Sequence, residues 1–144
     1  MDWATHQQNA IVGGRRLSYL DVGEGREAVL LMHGLAGSWH WWKENLAALS
    51  ESRRVIAVDL PGFGNSEVAA SHDVNSVVDG LDSLCDQLDL GAVDVVGHSL
   101  GSLLACELAA RTPDRVRRLT LTGGPLISVI SLYSAPWSTL RRRP

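Results

Sequence analysis

The feature that most constrains this chain is the pentad Gly97-His98-Ser99-Leu100-Gly101, which joins a short apolar run to an amphipathic one. Residues 93–97 (Val-Asp-Val-Val-Gly) read as a buried strand. Residues 100–111 read as a helix with Leu100, Leu103, Leu104 and Leu108 on its apolar side, stopped by Pro113. A strand that reverses at once into a helix strains the residue at the junction, and glycines two before and two after leave room for the turn. Such a turn stands Ser99 Oγ above the sheet edge, over the free N–H groups and positive dipole end of the helix. This is the setting in which G-x-S-x-G presents a nucleophile. The plainer alternative is a small-residue turn without chemistry.

The remaining pattern alternates strands with helices. Residues 9–13 and 16–22 suit a hairpin around Gly13-Gly14. Residues 28–32 (Ala-Val-Leu-Leu-Met) form a continuous apolar run ending at His33-Gly34, and 54–58 (Arg-Val-Ile-Ala-Val) form another. A helix is expected over 39–50, with Trp42, Leu46 and Leu49 near one face. Over 74–90, Val74, Val77, Val78, Leu81, Leu84, Cys85 and Leu88 recur at helical steps; Asp73 is placed to cap the start and Gly91 to close the end in the left-handed conformation. Residues 117–122 give one more strand. The alternation predicts an α/β fold, a mostly parallel sheet with helices on both faces.

The chain has 144 residues, 45% of them apolar and 20% charged, which suits one globular domain with a core. A net charge of −3 gives no reason to expect nucleic acid. All 16 acidic residues lie before residue 115, whereas Arg115, Arg117, Arg118, Arg141, Arg142 and Arg143 lie beyond it. The last three read as a solvated end, too short a run for a membrane-binding cluster. Cys85 and Cys106 fall within helical apolar patterns and read as small buried hydrophobes, without CxxC spacing. The start lacks a signal-peptide pattern, and no apolar stretch is long enough to span a bilayer. The expectation is a soluble cytoplasmic protein acting on a small molecule, without membrane insertion, nucleic acid, metal or cofactor.

Two loops complete the candidate site. His33-Gly34-Leu35-Ala36-Gly37 leaves the first buried strand. An oxyanion hole needs two backbone donors, and the N–H groups of Leu35 and Leu100 are the candidates. The loop acts through its backbone, so His33 reads as structural. In Asp59-Leu60-Pro61-Gly62-Phe63-Gly64-Asn65-Ser66, the Gly62-x-Gly64 step lacks the third glycine of a dinucleotide fingerprint, since Glu67 stands there. That segment reads as a tight structural turn.

HGLAG, DLPGFGNS and GHSLG, followed by ELAARTPDRVRRLTLTG, together resemble the α/β-hydrolase superfamily over about Gly14 to Gly124. Trp42 matches an aromatic that such proteins often carry after the HG loop. The resemblance implies the α/β-hydrolase fold, a Ser–His–Asp triad, an acyl-serine intermediate and a backbone oxyanion hole. Serine at 99, where aspartate would mark the dehalogenase and epoxide hydrolase branches, favours esterases, lipases, thioesterases, C–C hydrolases, perhydrolases and acyltransferases.

In that family the acid and histidine follow the nucleophile. Here only Glu107 and Asp114 are acidic after Ser99, and no histidine follows it. Glu107 belongs to the helix behind the elbow, Asp114 to its far end. Where some relatives place the acid, after the strand at 117–122, stands Gly123-Gly124. His6, His40 and His72 precede the elbow and are not expected to reach Ser99 Oγ; His98 adjoins it but should point elsewhere, packing or hydrogen bonding beside the elbow. The expectation is therefore a partial hydrolase core over 1–124 and the start of a cap over 125–144, truncated before the last strands. It is expected to be inactive alone and completed by a C-terminal segment. The alternative is a non-catalytic, hydrolase-like protein that binds a ligand or partner. The strand at 117–122 would be an edge carrying Leu119 and Leu121, and 126–133 with Trp137 would form an exposed apolar patch. Trp39, Trp41 and Trp42 are open to two readings, as an acyl-pocket lining or as helix packing.

Overall fold

The computed structural model describes residues 2–69 and 73–124. The expected patch at 126–133, Trp137, His72 and Arg141 to Arg143 lie outside them. Six strands form one sheet: β1 (Gln7–Val12), β2 (Arg15–Val22), β3 (Ala28–Met32), β4 (Arg54–Val58), β5 (Val93–His98) and β6 (Val116–Thr122). Their order is β1-β2-β4-β3-β5-β6. β1 with β2 and β2 with β4 run antiparallel; β3 with β4, β3 with β5, and β5 with β6 run parallel. The fold class expected from alternation is thus present, a mostly parallel sheet with an antiparallel hairpin at one side.

Alternate residues of each central strand enter different cores, as the period of two requires. Leu30, Met32, Ile56, Val58 and Val95 join Val78, Leu81, Leu84, Leu104 and Leu108 from helices α2 (Val74–Gln87) and α3 (Leu100–Arg111). Val29, Leu31, Val55 and Ala57 join Trp3, Trp39 and Leu46 on the opposite face, where helix α1 (Lys43–Ser50) lies. Val29, Leu31 and Ile56 are each essentially inaccessible. A continuous apolar run is what a strand covered on both faces needs.

Three local expectations are corrected. The helix expected over 39–50 begins as a 3-10 turn, Trp39–Trp42, and becomes α-helical only at Lys43. Ser38 Oγ accepts from the His40 N–H, and the Asp59 carboxylate takes the Trp39 N–H at 2.7 Å, which fixes the tighter first turn. The helix expected to reach residue 90 stops at Gln87, and Asp89 (φ 53°), not Gly91, takes the left-handed position. Leu90 N–H bonds to Cys85 O at 2.9 Å and Asp89 N–H to Asp86 O at 3.0 Å, a Schellman closure that buries Leu90 against the core. On α3 the buried side is Gly101, Leu104, Ala105 and Leu108; Leu103 is half-buried, and so is Cys106, whereas Cys85 is fully buried as expected. Asp73 caps α2 as read, accepting from Ser76 N–H at 2.9 Å.

β6 pairs with β5 alone among the described residues, so the expected edge is present, with Leu119 39% exposed and Leu121 partly packed on the core. The β5–β6 ladder carries a bulge: Val93 opposes Val116 but Asp94 opposes Arg118, leaving Arg117 as the extra residue. Neighbours on a regular strand point to opposite faces. The bulge instead lets Arg117 Nε and Arg118 reach the same Asp94 carboxylate, at 2.8 and 3.3 Å. Arg53 joins them at 2.6 Å, and Glu27 lies against Arg53 and Arg117 at 3.3 and 2.9 Å. These groups sit at the amino ends of β3 to β6, opposite the elbow.

Candidate active site

Ser99 joins β5 to α3 with φ 51° and ψ −112°, a conformation L residues avoid. Its N–H donates to Thr122 O at 3.0 Å, and its carbonyl accepts from Ser102 N–H at 2.9 Å to start the helix. Its side chain makes no capping bond to that helix. The surrounding glycines are demanded by contact. A Cβ on Gly101 would lie 2.2 Å from Met32 O, and one on Gly97 would lie 2.3 Å from Gly101 O. The elbow is therefore pressed against the carboxyl end of β3 with no space for a methyl group.

The loop after β3 meets this elbow. A Cβ on Gly34 would lie 3.0 Å from Ser99 Cβ, 3.1 Å from the Trp41 ring and 3.2 Å from His98 Cδ2. Gly37 N–H bonds to Gly34 O at 3.1 Å, closing a turn with Ala36 at φ 57°. Leu35 stands at the tip of that turn, and Leu100 opens α3. The two backbone donors picked out by sequence thus belong to segments that converge on Ser99. Neither N–H has a hydrogen-bond partner among the described residues.

His33 is fully buried and holds this loop to the next one. Its Nδ1 lies 2.6 Å from Gly34 O, and Leu60 N–H donates to its Nε2 at 2.9 Å. Only the neutral tautomer with the proton on Nδ1 satisfies both bonds. Burial pushes its pKa below the ordinary value, against the opposing pull of the Gly34 carbonyl and Asp59. The structural reading of His33 holds. Asp59, read before only as part of a turn, is a second anchor. Its carboxylate accepts the N–H groups of Trp39 and Asn65 at 2.7 and 2.9 Å, and its carbonyl accepts from Ser66 Oγ at 2.6 Å. Gly64 is required here, since a Cβ would lie 2.3 Å from that carboxylate.

The three tryptophans separate. Trp39 is buried in the core and stacks on His40 with ring centroids 3.8 Å apart; Trp42 packs against the same core. Trp41 turns the other way. It is 50% exposed and meets the rings of His98 and His33 edge-on, at 5.4 and 6.2 Å. Sequence patterning could not make this split, because the tight turn, not a helix, sets their directions.

No described histidine hydrogen-bonds Ser99 Oγ. His98 Nδ1 pairs with Thr122 Oγ1 at 3.1 Å and His40 with Ser38 Oγ at 3.1 Å, while His6 lies beside Trp3. Glu107 is buried on α3 facing Arg111, and Asp114 follows the far end of that helix, about 18 Å along its axis at 1.5 Å per residue. Among the described residues there is no cluster able to hold a metal ion, and no helix long and apolar enough to cross a membrane.

The strained serine, the glycine-locked elbow and the strand order match a known architecture. A family model described as the alpha/beta hydrolase fold matches residues 27–143. The chain belongs to the α/β-hydrolase fold family. Its relatives within that family differ in named activity. It is 39% identical over 116 residues to the dihydrolipoyllysine-residue acetyltransferase component of the acetoin cleaving system of Pseudomonas putida, covering 79% of this chain and 31% of that protein. It is 39% identical over 123 residues to a 2-hydroxy-6-oxo-2,4-heptadienoate hydrolase of Pseudomonas putida, covering 82% and 44%. The epoxide hydrolase CorEH superposes with a TM-score of 0.77 at 33% identity, covering 80% of this chain and 41% of that one. This α/β-hydrolase chain therefore spans less than half the length of these relatives.

Proposed function

We propose that the protein is a serine hydrolase that attacks an ester-like or related carbonyl with Ser99 and passes through an acyl-Ser99 intermediate. The observation that carries this reading is the backbone of Ser99, held at φ 51° between β5 and α3 with its side chain uncommitted to the helix. Strain of this kind persists only where the surrounding structure enforces it, and it is concentrated at functional positions. The N–H groups of Leu35 and Leu100 stabilise the oxyanion formed in the attack. Among relatives that include a 2-hydroxy-6-oxo-2,4-heptadienoate hydrolase and an epoxide hydrolase, serine at 99 supports the acyl-serine chemistry.

A serine hydroxyl needs a base. The reading requires a histidine and an orienting acid that the described residues do not bring to Ser99 Oγ, and the chain spans less than half the length of its relatives. The 144-residue chain alone turns over esters very slowly or not at all. The test is fluorophosphonate labelling, read by peptide mass spectrometry, with intact mass on the natural protein from its source cells. A natural mass well above 15.6 kDa with rapid label on Ser99, and slow label on the short chain, is the expected result. A longer natural protein that leaves Ser99 unlabelled would overturn the reading and favour a non-catalytic binding role.

A further inference from the structure

The segment from His33 to Trp42 leaves two large apolar side chains in water. Leu35 is 67% exposed and Trp41 50% exposed. Both flank Gly34, the residue that touches the nucleophile. The Trp41 ring and Ser99 Cβ lie 3.1 and 3.0 Å from the same point beside Gly34, so they are no more than about 6 Å apart. An indole that close to a nucleophile is within reach of the group attached to the carbonyl under attack. Two neighbours hold it there: His98 edge-on at 67° and His33 edge-on at 63°. His98 is itself tied to Thr122 on β6, and His33 to Gly34 and Leu60. The indole is thus buttressed on rigid elements and not loose on the surface.

The local charge is as informative as the shape. The side chains set against Trp41 and Gly34 include those of His33, His98 and Ser99, none bearing a fixed charge, and His33 is held neutral by its two hydrogen bonds. The nearby carboxylate, Asp59, is buried and committed to two backbone N–H groups. A substrate group seated against Trp41 meets π surface and hydrocarbon among the described residues, and the free Leu35 and Leu100 N–H groups serve the oxyanion instead of this group.

We propose that Trp41 is a specificity-determining wall of the Ser99 site and selects an uncharged aromatic acyl group. This deepens the serine hydrolase reading and rests on it. Ring-on-ring contact adds selectivity beyond simple burial, corresponding to about a threefold to tenfold preference for an aromatic over an aliphatic group. Methyl ketones carry the acyl part without a leaving group, so they report on this wall without turnover. The experiment titrates the natural protein, labelled with 15N at its indoles, with acetophenone, tert-butyl methyl ketone and 4-acetylbenzoate. Trp41→Phe assigns the Trp41 indole N–H signal.

The expected result is that acetophenone shifts the Trp41 signal and binds threefold to tenfold tighter than either other ketone. Trp41→Ala should erase that preference, Trp41→Phe should keep most of it, and Leu119→Ala, on the distant edge, should leave it unchanged. Equal ketone affinities in the wild type, or an acetophenone preference that survives Trp41→Ala, would overturn the proposal. The two readings fail separately. Ketone selectivity with no fluorophosphonate label on the natural protein sinks the hydrolase reading alone. Label on Ser99 without ketone selectivity sinks the role of Trp41 alone.

Discussion

The two ends of the parallel strands are built from opposite materials. At their carboxyl ends, the elbow is locked by contacts that no added atom could enter, with neutral His33 and buried Asp59 holding the flanking loops. At their amino ends, Glu27, Arg53, Arg117 and Arg118, all partly exposed, make an ion cluster around the buried Asp94. Close contact is short-ranged and unforgiving, whereas exposed charge pairs are long-ranged, screened and weak. The end where we place the chemistry uses the first kind, because a nucleophile must be positioned to fractions of an ångström.

The comparison can be broken most directly at Gly101. Gly101→Ala places a methyl group against the Met32 carbonyl, which cannot move aside, and should cost about 3 kcal/mol in a urea melt. A loss below 1 kcal/mol would show the elbow to be softer than described. His33→Ala follows, leaving the Gly34 carbonyl and Leu60 N–H unpaired in the interior, for a loss of about 2 kcal/mol.

The same histidine separates the two ends by pH. Because burial holds it neutral in the folded chain, the unfolded chain binds its proton first. Its contribution is complete above pH 6.5 and declines as pH falls below that value. Asp94 behaves differently. The Arg117 guanidinium, with Arg118 and Arg53, holds its carboxyl below the ordinary 3.8, so its contribution is present above that value and is lost only as pH falls below it. Stability measured against pH should therefore fall in two windows, and His33→Ala should flatten the upper one alone.

Smaller effects sharpen the contrast. Ser99→Gly relieves the left-handed strain and should raise stability by about 1 kcal/mol while removing the proposed nucleophile; an unchanged melting midpoint would argue against strain there. Asp94→Asn should cost about 0.5–1 kcal/mol at low salt, and less in 1 M NaCl, where the Debye length is about 3 Å. A salt-independent loss would mean the cluster acts by packing.

What the sequence made legible follows the range of the forces involved. The G-x-S-x-G turn, the buried strands and the Asp73 cap are local, and spacing alone reveals them. The end of α2 was missed because a glycine two residues on looked like the natural left-handed residue. Burial of Leu90, a tertiary demand, put Asp89 there instead. The carboxylate of Asp59 organises Trp39, twenty residues earlier in the chain, and no periodicity encodes that. Trp41 was hidden among three neighbouring tryptophans for the same reason.

The bulge at Arg117 bears on how such a chain can change length. The extra residue is absorbed entirely opposite Asp94, and from Leu119 onward β6 runs in step with β5 to Thr122, whose carbonyl receives the Ser99 N–H. Deleting one residue at the bulge would only straighten the strand, leaving the phase at the elbow intact. An insertion between Leu119 and Thr122 would turn every later side chain over and move the carbonyl that holds Ser99. Variation in length is thus buffered at one end of this strand and forbidden at the other, five residues away.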